Sequence, residues 1–264
     1  MTPRRLLIIA GSDSSGGAGI QADIKTAAAF GVYAMTAVTA VTAQNTRGVT
    51  AVHAIPAEMV RRQILACLTD IGADAVKTGM LANAAIVRTV AETLEKHARG
   101  IPLVVDPVML STSGAVLLKR EAEETLKKRL LPLATLVTPN LPEARRLTGL
   151  RGTGRPGLHR AALLLLQMGA KAALIKGGHA TQATIDDLLL WEGGEDILAF
   201  PRLATRHTHG TGCTLASAIA CGLAQGLSLP LAAARAREYV QAAIADAPGF
   251  GKGHGPLNHM VKWR

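Results

Sequence analysis

The chain has 264 residues, of which 48% are hydrophobic, 18% charged and only 3% aromatic, with a formal net charge of +10. Such a composition buries a sizeable core and excludes disorder. No run approaches the roughly 18 apolar residues of a membrane span, and so few aromatics argue against a base-stacking surface for nucleic acid.

The basic residues are dispersed, at Arg4-Arg5, Arg61-Arg62, Lys127-Lys128-Arg129 and Arg145-Arg146. Most fall on expected helices as solvated faces, which is unlike a nucleic-acid groove but compatible with attracting a small polyanion such as ATP. Three scattered cysteines, Cys67, Cys213 and Cys221, do not form a disulfide framework. The apolar run near the N-terminus stops too soon for a signal peptide and leads into a Gly/Ser-rich loop. The expectation is a soluble, cytoplasmic protein with no membrane and no nucleic-acid partner.

In chain order, Leu6–Ala10 reads as a buried strand, 11–19 as a tight polar loop and Ile20–Phe30 as a helix. Val32–Val41 is a strand, Thr42–Thr50 a polar projection and Val49–Ile55 an edge strand. Pro56–Leu68 is a helix opened by proline. Ala73–Gly79 and Leu103–Val108 are strands around the helix Asn83–Ala98. Arg120–Leu131 is a helix, Ala134–Thr138 a strand, and a further helix starts at Pro139–Glu143. Leu158–Met168 is a helix and Ala172–Ile175 a strand. Residues 184–191 and 196–200 pair around Gly193-Gly194, and helices 211–227 and 231–246 close the chain. Strands alternating with helices imply one α/β domain, a largely parallel sheet covered on both faces. The 32–55 region is a candidate small lid.

In such sheets ligands bind beyond the carboxyl ends of the strands. The polar motifs gather there, at 11–17, 42–47, 77–80, 106–113, 138–143, 176–179 and 205–213. Gly152–Gly157 matches G-x-G-x-x-G, but no strand leads into it and a proline interrupts it, so it reads as a loop. No Walker A sequence occurs. The stretch from Thr205 to Thr214 passes Gly210 and Gly212 into an apolar run of helical length. Glycines before a helix let backbone N–H groups converge, and the helix N-terminus favours an anion. Cys213 falls in the first turn, where that field lowers a thiol pKa. A metal site at His207, His209 and Cys213 lacks a suitably spaced fourth ligand, and Gly-Thr-Gly alone is also an ordinary turn. Asp106 and Glu143 lie at strand ends, where they can jointly hold Mg²⁺ through water; for Glu143 the alternative is complementing a helix dipole. Lys176 ends a strand within reach of a nucleotide phosphate.

Ala10–Asp23, Thr42–Thr46, Thr138–Ala144, Lys176–His179, His207–Cys213 and Gly253–His259 together resemble the hydroxymethylpyrimidine/phosphomethylpyrimidine kinases of thiamine biosynthesis, nearly end to end. The resemblance implies a ribokinase-like three-layer α/β/α sandwich with a largely parallel central sheet. It also implies ATP- and Mg²⁺-dependent phosphorylation of 4-amino-5-hydroxymethyl-2-methylpyrimidine and then of its monophosphate, by a homodimer. By position, Gln44 reads the pyrimidine, with Asp23, Gly11, Met80 and Val108 shaping its pocket. Lys176, Thr208 and Thr211 face ATP, Asp106 and Glu143 support magnesium, and Gly210, Thr211, Gly212 and Cys213 hold the transferring phosphoryl group. Cys213 replaces the aspartate usual in the wider superfamily and is the candidate general base. Lys77 has no assigned role. The alternatives are a pyridoxal or pyridoxine kinase on the same fold and a catalytically silent pyrimidine-binding regulator.

Overall fold

The computed structural model describes residues 2–111, 114, 117–150, 154–177 and 183–263. Within the motifs above, Gly152, Thr153, Gly178, His179 and the 112–113 pair lie outside the described residues.

Among the described residues nine strands form one sheet: β1 (Arg5–Asp13), β2 (Tyr33–Asn45), β3 (Gly48–Ala54), β4 (Ala75–Thr78), β5 (Leu103–Val105), β6 (Leu136–Val137), β7 (Ala172–Ile175), β8 (Thr184–Trp191) and β9 (Gly194–Pro201). Their spatial order is β3-β2-β1-β4-β5-β6-β7-β8-β9. From β2 to β7 every neighbouring pair is parallel, whereas β3, β8 and β9 add antiparallel edges. The helices are α1 (Gly19–Ala29), α2 (Ala57–Ala66), α3 (Ala84–His97), α4 (Arg120–Thr125), α5 (Leu141–Thr148), α6 (Gly154–Gln167), α7 (Thr211–Ala224) and α8 (Leu229–Ala245).

The apolar run in β1 explains the layering. Successive side chains of a strand point to opposite faces. Leu7 and Ile9 join a core with residues of α2–α6, while Leu6, Ile8 and Ala10 join a second core with α1, α7 and α8. A strand buried on both faces needs no polar alternation, which is why this segment is legible as a central strand. Among the described residues no helix is long and apolar enough to cross a membrane.

Several boundaries differ from those expected. β1 runs on through Gly11 to Asp13, because β2 continues to pair with it past an irregularity between Ala10 and Ser12. β2 likewise extends through the polar Thr42–Asn45, held by the antiparallel ladder from β3. Thr42–Asn45 is therefore the end of a core strand. Helices α2 and α4 each close in a wider π turn, Cys67–Ile71 and Leu126–Leu130. Gly154–Gly157 is the first turn of α6, not a loop; Pro156 fits there because a helix start has no use for its missing N–H.

Chain direction across the sheet reverses beside β1: β2 lies on one side and β4 on the other. The carboxyl ends of β1 and β4 thus frame the crevice where open α/β sheets bind ligands.

Candidate active site

A cavity of about 570 Å³ opens at this crevice. Gly11, Gln44, Met80, Asp106, Val108, Glu143, Lys176, Thr208, Gly210, Thr211, Gly212 and Cys213 all line it. Of the residues expected in the site, Asp23 alone does not.

The N-terminus of α7 is one wall. Gly210 caps it with φ 88°, and a Cβ there would meet Gly17 O at 1.8 Å, so only glycine fits. The first-turn N–H groups of a helix have no intrahelical acceptor; here Thr211 N donates to Thr208 O at 3.3 Å, and Gly210, Thr211, Gly212 and Cys213 all line the cavity. A Cβ on Gly212 would lie 3.2 Å from Lys176 Nζ and 3.7 Å from Asp106 Oδ2, so this backbone sits against both charged groups. Behind the first turn α7 is apolar on nearly every side. Leu215, Ala216, Ala218, Ile219 and Ala220 are buried against the sheet, α1 and α8, fixing the direction of the N-terminus.

Three charged groups converge beside it. Lys176, after β7, places Nζ 3.2 Å from Asp106 Oδ1, after β5. Burial opposes the charge on Lys176, but Asp106 and Glu143 outweigh it and raise its pKa. Glu143 opens α5 in a capping box: Asn140 N donates to its Oε2 at 2.8 Å, and its own N–H donates to Asn140 Oδ1 at 2.9 Å. The helix-start role is therefore real, and the same carboxylate still lines the cavity. Burial, aided by Asp106 and opposed by Lys176, pushes Glu143 up to about 7. Two hard carboxylates that repel each other in an enclosed site suit Mg²⁺, which keeps several waters and binds through one or two carboxylates plus phosphate oxygens. Among the described residues no cluster of three or more His, Cys, Asp or Glu forms a metal cage, so the His207–His209–Cys213 metal reading has no support there.

The cavity lining also carries an amide. Gln44 is fixed by its backbone, which accepts from Ser14 Oγ at 2.7 Å and donates to it at 2.9 Å. Its side chain lies 3.2 Å from Thr42 Oγ1 and 3.4 Å from His209 Nε2. His209 donates to Asp13 Oδ2 at 2.7 Å, and Asp13 also accepts from Ser15 and from Ala18 N. Burial works against the charge on Asp13, but these bonds outweigh it and hold its carboxyl below the usual range. Gly11 gives this part of the cavity its depth, since a Cβ there would lie 3.1 Å from Met80 Sδ.

Two expectations change. Asp23 is fully buried behind the wall; it accepts from Lys77 Nζ at 2.8 and 2.9 Å and from Ser217 Oγ at 2.7 Å. A carboxylate committed to that pair is not a ligand contact, and Lys77 gains its role as the partner. Cys213 was expected to carry a lowered pKa. Enclosure instead pushes its thiol up to about 12; Lys77 opposes that shift, and Asp23 and Asp106 add to it.

Sequence reasoning missed the far lobe of the cavity. Ile185, Leu203, Val240 and Ile244 make an apolar slot, with the buried pair Arg237 Nε and Asp187 Oδ2 3.1 Å apart at its side. Asp187 also accepts from Gly177 N at 2.8 Å, tying the slot to the Lys176 loop. The only sequence signal for it was the glycine after Lys176.

Comparison with known proteins gives the family. The family model for phosphomethylpyrimidine kinase matches residues 13–258. The chain belongs to that family. It is therefore a kinase. The "Hydroxymethylpyrimidine/phosphomethylpyrimidine kinase" of Streptomyces coelicolor is 52% identical over 260 residues, covering 98% of this chain and 95% of the relative. The solved phosphomethylpyrimidine kinase of Clostridium difficile superposes with a TM-score of 0.82 at 43% identity, over 91% of this chain and 99% of that one. An ADP complex of Bacillus subtilis pyridoxal kinase superposes with a TM-score of 0.91 at 35% identity, over 98% of both chains. The ribokinase-like architecture is thus shared by phosphomethylpyrimidine and pyridoxal kinases, while sequence identity favours the former.

Proposed function

We propose that the chain transfers the γ-phosphoryl group of ATP to the hydroxymethyl oxygen of 4-amino-5-hydroxymethyl-2-methylpyrimidine, and a second phosphoryl group to the resulting monophosphate, in thiamine biosynthesis. One observation carries this reading. Gln44 lies 3.4 Å from His209, the residue immediately before the Gly210–Cys213 turn, so an edge-reading amide and an anion hole share one small space. A pyrimidine read by the amide holds its neighbouring hydroxymethyl group at the hole.

The nucleotide enters from the other side. The slot of Ile185, Leu203, Val240 and Ile244 takes the adenine, and Lys176, Thr208 and Thr211 take the phosphates. The N–H groups of Gly210–Cys213 meet the oxygens of the phosphoryl group in transit, donors already aimed where charge is spread. Asp106 and Glu143 would hold Mg²⁺, which would supply neutralisation of phosphate charge. In transfer the alcohol oxygen–phosphorus bond forms as the bond to the ADP leaving oxygen breaks. A thiol held near 12 is protonated at neutral pH, so Cys213 orients the hydroxyl rather than acting as a resting base. The alcohol proton leaves late, once the new bond has made it acidic, and passes to a phosphoryl oxygen.

The β2–β3 hairpin, carrying Thr42 and Gln44, serves as the lid over the pyrimidine within a single domain. The protein acts as a cytoplasmic homodimer, a reading supported by the family resemblance. Pyridoxal lacks the aminopyrimidine edge, so Gln44 disfavours it as the main substrate, and a silent regulator has no need of Lys176 beside the hole. Coupled ADP-release assays with the pyrimidine alcohol, its monophosphate and pyridoxal test this. Turnover with both pyrimidines well above that with pyridoxal is expected, and preferred turnover of pyridoxal overturns the assignment.

A further inference from the structure

The hydrogen-bonding partners of Gln44 decide how its amide must point. Oε1 faces Thr42 Oγ1 at 3.2 Å, and Nε2 faces His209 Nε2 at 3.4 Å. Each partner's hydrogen is already committed. Thr42 Oγ1 lies 3.0 Å from Ser12 O, a carbonyl that only accepts, so the single hydroxyl hydrogen goes there. His209 Nε2 lies 2.7 Å from Asp13 Oδ2, a carboxylate that only accepts, so the ring hydrogen goes there. The Thr42 oxygen is left as an acceptor, and the edge of His209 that meets Gln44 is an N–H. The stated orientation therefore opposes oxygen to oxygen at Thr42 and N–H to N–H at His209. A half-turn of the amide removes both conflicts, since its two ends are nearly the same size.

We infer that Gln44 works with Nε2 donating to Thr42 Oγ1 and Oε1 facing the N–H of His209, and that Thr42 and His209 lock this orientation and thereby select 4-amino over 4-oxo pyrimidines. The inference rests on the reading of Gln44 as the pyrimidine contact. Locked this way, the amide has one N–H and one lone pair left for the ligand, in a fixed order. A 4-aminopyrimidine offers an accepting ring nitrogen beside a donating amino group. Its 4-oxo counterpart offers a donating ring N–H beside an accepting carbonyl, the same pair in reverse. An unlocked glutamine turns over and takes either. Turning the ligand over instead carries its hydroxymethyl group away from Gly210–Cys213. Thr42 and His209 are thus positioning residues: they fix the donor order of a group that touches the substrate. Asp13 supports them by holding His209 and, through Ser15 and Ala18, the loop after β1.

The test compares kcat/KM for the 4-amino substrate and its 4-oxo analogue in the full-length enzyme. In Thr42→Val the preference for the amino compound should fall by roughly 10–100-fold, the scale of one bidentate pair, chiefly through a lower KM for the oxo analogue. The KM for ATP should not move, and Thr42→Ser, which keeps the hydroxyl, should restore the preference. Gln44→Ala separates the two levels. If it keeps the full preference, Gln44 does not read the pyrimidine; if it loses the preference while Thr42→Val keeps it, the lock is wrong and the reading of Gln44 stands. A measurement on the wild-type protein is independent of whether Thr42→Val folds. Nuclear Overhauser contacts from the Gln44 side-chain NH₂ should reach the Thr42 methyl group, and contacts to the His209 ring alone overturn the inference.

Discussion

Lys77 Nζ lies 2.8 Å from Asp23 Oδ2, with both side chains fully buried, one on β4 and the other on α1. Ser217, one turn along α7 from Cys213, donates to the same carboxylate. The pair therefore joins sheet, α1 and α7 behind the first turn of α7. Burial works against the charge on Lys77, but Asp23, Cys213 and Asp106 outweigh it and raise its pKa. Removing one partner leaves a buried charge uncompensated. Lys77→Met should cost about 3–5 kcal/mol in equilibrium urea unfolding, and Lys77→Met with Asp23→Leu should regain most of it. Additive losses in the double variant would mean that the two charges do not act as a pair.

How much of this was legible in sequence depends on the range over which each cause acts. The β1 run is legible because burial on both faces demands an unbroken apolar string. Thr42–Asn45 is not legible as strand, because its ladder comes from β3 and nothing in its own composition requires it. The site loops could be placed, since strand ends collect them. The Lys77–Asp23 pair could not, being 54 residues apart in sequence, and neither could Arg237 with Asp187. The Cys213 thiol departs from the sequence expectation for a physical reason: a helix N-terminus is visible in sequence, whereas the enclosure that raises the pKa exists only after folding.

His259 gives the fold an acid-sensitive joint. Its Nε2 lies 2.9 Å from Thr214 Oγ1 on α7, and burial, aided by Lys25, lowers its pKa to about 4. The unfolded chain, with an ordinary histidine near 6.5, binds more protons between those values. The stabilisation is present above about 6.5 and is lost as pH falls toward 4. His259→Gln should flatten this part of the melting-temperature profile between pH 6.5 and 4. An unchanged acid limb would remove His259 as its source.

Cys213 is predicted to be slow toward iodoacetamide at pH 7, with a rate still climbing beyond pH 10, in a background where Cys67 and Cys221 are replaced. A half-maximal rate near pH 8.5, levelling by about pH 10, would mean an ordinary thiol. Cys213→Ala should keep turnover within about tenfold of wild type, short of the roughly 10²–10⁴-fold loss typical of a general acid or base. A loss beyond that range, reversed by Cys213→Asp, would restore the base assignment.

Asp106→Asn and Glu143→Gln should raise the Mg²⁺ concentration needed for half-maximal turnover by about tenfold or more while both proteins stay folded, because each removes one hard oxygen charge of a two-carboxylate site. Glu143→Gln keeps an oxygen for the Asn140 N–H and so preserves the helix cap. Lys176→Ala should chiefly raise the KM for ATP. Magnesium titrations of both carboxylate variants that overlay the wild type would contradict the assignment.

The most direct measurement is a ³¹P NMR time course of the wild-type protein with MgATP and 4-amino-5-hydroxymethyl-2-methylpyrimidine. A phosphomonoester resonance should appear first and then give way to the paired resonances of a diphosphate, each step releasing ADP. In Gln44→Met both steps should slow at limiting pyrimidine, by roughly 1–3 kcal/mol in kcat/KM, with the KM for ATP unchanged. Spectra in which no phosphomonoester forms from the pyrimidine, while pyridoxal under the same conditions is phosphorylated, would contradict the proposed activity.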